Sequence, residues 1–114
     1  SSLENDPALI SGIDQFNHGL YYESHEAFED IWQRTLYPQR LLCLALTKFA
    51  AACVHKAKGN YTGANRIGRH SLACFVCLPK DYARLDVRSL CQGIADWLGS
   101  ENNIPIISRI NYSA

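Results

Sequence analysis

The residue types in this chain best suited to chemistry recur at helical spacing. His25-Glu26-x-x-Glu29 sets an imidazole and two carboxylates within one short stretch. At 100° per residue, His25 and Glu29 project about 40° apart and Glu26 about 60° beyond Glu29, so all three share one side of a helix. Trp32 and Leu36 sit on the same arc, which puts His25 and Glu29 at the edge of an apolar stripe facing the interior. A partly buried carboxylate there needs a partner, a proton or a metal. Further along, Lys48 and His55 stand two turns apart on one face of an otherwise apolar helix. Two chemistries fit these residues. His25, Glu29 and His55 make a three-ligand set for Zn²⁺, Mn²⁺ or Fe²⁺, with Glu26 left as general base for a bound water in a hydrolase-like site. Alternatively, His25, Glu29, Lys48 and His55 form a hydrogen-bonded ionic network that fixes helix register, or they bind a small ligand without chemistry. The pattern has Glu where His-Glu-x-x-His would place its second His, and it lacks the Glu-x-x-His pairs of di-metal bundles.

Five helices must position these residues. Asp6-Pro7 is an N-cap followed by proline, and Leu9, Ile10, Ile13 and Phe16 carry a first helix over 7–18 until Gly19 stops it. Tyr21, Phe28, Ile31, Trp32 and Leu36 define a second helix over 21–36, ahead of Pro38. Residues 39–58 are apolar or small at nearly every position, the mark of a central buried helix. Gly59-Asn60 separates it from a fourth helix over 61–77, which Leu78-Pro79 breaks. Asp86 caps a fifth helix through Leu98, with Leu90, Ile94 and Trp97 on its apolar face. Before residue 104 there is no strand alternation, and there is no internal repeat. The expected fold class is therefore all-α: an up-and-down bundle over 7–98 with an irregular tail over 99–114, in one domain spanning 1–114.

The 114 residues carry eleven acids and eleven bases, but these are segregated. Residues 1–30 hold seven acids and no base, and residues 31–80 hold eight bases and no acid, so an acidic N-terminal hairpin is expected to dock on a basic middle one. Neutral overall charge makes nucleic acid a poor partner. No apolar run is long enough to span a bilayer and no basic-then-apolar leader opens the chain, so a soluble cytoplasmic protein is expected. Five cysteines without a secretory signal read as reduced thiols, and Cys74-Phe-Val-Cys77, lacking a second pair, reads as core packing rather than zinc. The tail isoleucines Ile104, Ile106, Ile107 and Ile110 are too apolar to be left in water. They are expected to pack on the bundle or to join two copies as a homodimer.

The segment Phe16-Asn17-His18-Gly19-Leu20-Tyr21, followed by His25-Glu26-x-x-Glu29-x-x-Trp32, resembles the signature of the bacterial and archaeal family filed as domain of unknown function 309. The resemblance extends through the Ala-rich helix ending in His55 and through Gly59-Asn60 and Gly63-Ala64, covering about residues 8–75. It implies a small all-α protein, and some family members carry the label of predicted metal-dependent hydrolase. The family motif falls on Asn17, Gly19, His25, Glu26, Glu29, Trp32, His55, Asn60 and Gly63. Asn17, Tyr22, Trp32, Lys48 and Asn60 are the expected ligand-binding or network residues. A divalent metal is the implied cofactor. The sequence departs from the family pattern in carrying Lys48 where Gln is expected, and a cation there competes with a metal for carboxylates.

Overall fold

A computed structural model describes residues 3–100 and 103–110. After a 3₁₀ turn at Leu3–Asn5, the order is α1 (Pro7–Asn17), α2 (Tyr21–Arg34), α3 (Gln39–Ala57), α4 (Tyr61–Phe75), β1 (Asp81–Tyr82), β2 (Leu85–Asp86) and α5 (Val87–Ser100). The fold is all-α, an up-and-down bundle with an irregular C-terminal segment. Each helix of the first four packs on its chain neighbours, and α5 packs on α4. The tail positions 101–102 and 111–114 lie outside the described residues.

Local chemistry sets the helix ends. The Asp6 carboxylate accepts the Ala8 N–H at 2.9 Å and Pro7 opens α1, while Gly19 turns the chain at φ +81°. α2 ends at Arg34, two residues earlier than its apolar spacing predicts. Thr35 is already extended, and its hydroxyl donates to the Ile31 carbonyl at 2.6 Å. Leu36 therefore leaves the apolar face and is exposed. α4 also stops early, at Phe75, where the chain tightens into i→i+3 turns: Cys77 N–H donates to the Cys74 carbonyl and Leu78 N–H to that of Phe75. Cys77 consequently sits exposed on the connecting segment rather than in the core, while Cys43 and Cys53 are buried as expected.

α3 is the central element. Its buried side chains include Leu42, Leu46, Phe49, Ala50 and Cys53, on faces turned toward both α2 and α4. Edge-on and tilted ring contacts of 5.0–5.4 Å link Tyr21, Phe16, Phe49 and Trp97, so one aromatic chain crosses from α1 and α2 through α3 to α5. Between α3 and α4, the buried Ser71 hydroxyl donates to the Ala45 carbonyl at 2.9 Å.

The segment after α4 departs from the helical expectation. Residues 81–86 form a hairpin whose two turn residues, Ala83 and Arg84, have φ of +51° and +60°. The turn lacks the Asn-Gly or Asp-Gly pair that usually signals such a geometry, and two-residue strands are too short for an alternating pattern. The tail extends this hairpin: Asp86 N–H donates to the Ser108 carbonyl at 2.9 Å, Ile110 N–H to Arg84 at 2.7 Å, and Leu85 bridges Arg109. Asn17, at the end of α1, clasps the tail through both amide atoms, donating to the Ile107 carbonyl at 2.9 Å and accepting its N–H at 2.8 Å. Pro105 seats directly over Gly93, where an added Cβ would lie 2.5 Å from the proline ring. Ile107 is 2% exposed and Ile106 is 63% exposed. Of the two expectations for the tail, packing on its own bundle is the one the structure displays.

Candidate functional site

α2 and α3 run antiparallel, joined by the short segment 35–38, and their far ends face each other across an open groove. Tyr22 and His25 from α2 meet Ala51, Val54, His55 and, just beyond the helix end, Lys58. The groove encloses about 190 Å³. At about 30 Å³ for each water of the liquid, this accommodates roughly six waters or a compact ligand. Ala51 and Val54 are apolar lining residues, and His25, His55, Tyr22 and Lys58 are the lining residues with polar side-chain atoms. Among the described residues, no carboxylate lines it.

The geometry at His55 determines what that ring can do. Asn60 N-caps α4, its Oδ1 accepting the Gly63 N–H at 3.0 Å. That bond fixes the amide orientation and turns Nδ2 toward His55 Nδ1, 3.1 Å away. An amide nitrogen can only donate, so Nδ1 accepts, and the hydrogen of the neutral ring resides on Nε2. Gly63 is needed for this arrangement. A Cβ at residue 63 would lie 2.5 Å from Asn60 Nδ2 and push the amide off its seat.

The other predicted residues are distributed around this groove. His25 is half-buried and lines the groove with His55. Glu29 is half-buried one turn further along α2, outside the groove lining, and Glu26 is exposed. Lys48 is half-buried, and its charge acts on the Cys74 thiol, opposing the upward push of burial there. Among the described residues, no hydrogen bond or ion pair joins His25, Glu29 and Lys48 to one another. The Arg40 guanidinium lies over the Trp32 ring, 4.4 Å from the ring centroid, and the buried indole N–H has no acceptor among the described residues. Asn17 works on the tail, and Asn60 on His55. Lys58 was not singled out from the sequence, although its place one turn after His55 at the helix end carries the signal.

A divalent metal fits this donor set poorly. Among the described residues, no three His, Cys, Asp or Glu side chains form a metal-binding group. At the groove itself, His55 has one nitrogen engaged by Asn60 and a hydrogen on the other, and the third polar neighbour is the Lys58 cation. A metal would have to displace that hydrogen and tolerate the ammonium.

Comparison with known families gives a match over residues 9–67, more than half of the chain, to the family described as Domain of unknown function (DUF309). The chain belongs to that family. The DUF309 match spans α1, α2, α3 and the first half of α4, so every residue of the groove lies within it. The hairpin, α5 and the tail lie outside it. No curated protein matches the chain.

Proposed function

We propose that this chain is a helical ligand-binding domain whose groove between α2 and α3 takes a small oxyanion, a carboxylate or phosphate. The observation that carries this reading is the pairing of His25 and His55 from different helices with Lys58 and Tyr22 in a lining without an acid among the described residues. Asn60 supports it by leaving His55 with an N–H donor on Nε2. The ammonium supplies charge, and the hydroxyl and imidazole N–H supply directed hydrogen bonds, which are stronger to an ionised acceptor than to a neutral one. Binding rather than turnover is the activity proposed.

Titrating inorganic phosphate and acetate into ¹⁵N-labelled protein tests this reading. Saturable shifts in the His25 and His55 ring nitrogens are expected, weakened in Lys58→Ala. The hydrolase-like alternative draws on the same meeting of the two histidines, with Glu29 as third ligand and Glu26 as base. Stoichiometric Zn²⁺ uptake that disappears in His25→Ala, without any anion response, would replace the oxyanion reading with that one.

A further inference from the structure

A second depression lies in the part of the chain beyond the DUF309 match, between the end of α4 and the first half of α5. It is a shallow depression, widely open to solvent, with a volume of about 430 Å³. Phe75 and Val87 form a buried floor, and Leu72, Val76, Leu78 and Ala95 form the walls. Val76 is 63% exposed, an apolar wall left in water. Arg88, Cys91, Gln92 and Ala95 recur at i, i+3, i+4 and i+7 on α5, so one uncovered stripe of that helix makes the far side.

Charge is confined to one end. The Arg88 N–H donates to the Lys80 carbonyl at 3.0 Å, which holds the two cationic residues on adjacent backbone beside the apolar floor. No acid lines the depression, and neither side chain forms an ion pair among the described residues. Asp86, the carboxylate on which the Arg88 charge acts, is already engaged by Ser89, whose N–H and hydroxyl donate to it at 3.1 and 2.8 Å. An apolar trough with two exposed cations at one end, neither in an ion pair among the described residues, is complementary to an apolar chain that ends in an anion. We propose that this groove binds a medium-chain aliphatic carboxylate, its chain along Phe75, Val76 and Ala95 and its carboxylate between Lys80 and Arg88. The site is separate from the α2–α3 groove, and the two stand or fall independently.

Cys91 provides an internal reporter, because its half-buried thiol lines the groove while the exposed Cys77 lies outside the lining. The experiment is alkylation of the full chain by iodoacetamide, followed by peptide mass spectrometry, with octanoate or its neutral analogue octanol added. Octanoate is expected to slow alkylation at Cys91 and leave Cys77 unchanged. The double variant Lys80→Ala/Arg88→Ala should weaken octanoate roughly tenfold, the scale of a lost charge-assisted hydrogen bond, without affecting octanol. Ala95→Trp, on the exposed side of α5, should fill the trough and remove protection while the helical circular dichroism is retained. Equal protection by octanol and octanoate would overturn the role of the cations. Absence of protection, or protection that grows with protein concentration alone, would overturn the proposal, the latter assigning the groove to a second copy.

Discussion

Asn60 connects helix capping to the proposed site through a single amide, and its loss should be legible in two measurements. Asn60→Ala removes the cap of α4 and should destabilise the fold by about 1 kcal/mol in urea denaturation. It also frees His55 Nδ1, so the ring should redistribute its hydrogen between both nitrogens, visible as convergence of the two ¹⁵N ring shifts. Gly63→Ala should reproduce both effects by displacing the amide. At the other end of the bundle, Asp6 caps α1 and receives the Arg34 guanidinium at 2.8 and 3.0 Å. The Arg34 hydrogen bonds, the largest influence, hold the Asp6 carboxyl below its ordinary value of 3.8, against the opposing push of burial. Because the folded value lies below the unfolded one, this contribution is full above about pH 4 and fades as pH falls through the folded value. Stability measured from pH 7 to pH 2.5 should therefore drop less in Asp6→Asn than in the parent chain. The sequence made His25 and His55 visible because helical spacing is regular. It could not show that Glu29 stays outside the groove or that Lys58 enters it, since both depend on how α2 and α3 are rotated and where α3 ends.

At the scale of elements, caps and breakers were the most readable signals: Asp6-Pro7, Gly19, Gly59-Asn60 and Asp86 each fall within a residue or two of a helix end. The hairpin at 81–86 was not readable, because its left-handed turn is made by Ala83 and Arg84 rather than glycine or asparagine. The tail's path was equally hidden, resting on a clasp between Asn17 and Ile107, ninety positions apart. That clasp and the buried Ile107 make the tail part of the core. Ile107→Ala should cost about 2 to 5 kcal/mol by the usual scale for a buried aliphatic side chain. Truncation after Gly99 should abolish the cooperative thermal transition; a truncated chain melting as sharply as the full one would show that the tail contributes nothing to the bundle.

For the molecule as a whole, the sequence left two uses for the tail isoleucines. Ile107 is now buried, Ile104 and Ile110 are half-buried within the chain, and Ile106 remains outward. A homodimer through the tail would have to be built around Ile106. Light scattering on Ile106→Asp should show any such dimer reduced to monomer, and a dimer unmoved by the change would have its interface elsewhere. Membrane insertion by a helical span has no basis among the described residues, since no helix is long and apolar enough to cross a bilayer.

The Asn17–Ile107 clasp also dictates an order of events during synthesis. α1 to α4 touch mainly their neighbours in the chain, and such local contacts form quickly as each helix emerges from the ribosome. The end of α1, however, must wait with its amide unengaged until Ile107, ninety positions later, has been translated. A nascent chain thus carries a nearly complete bundle whose seam is still open. The seam closes once residues 103–110 can reach Asn17, so a chain stalled or terminated before them would present that seam to chaperones and proteases.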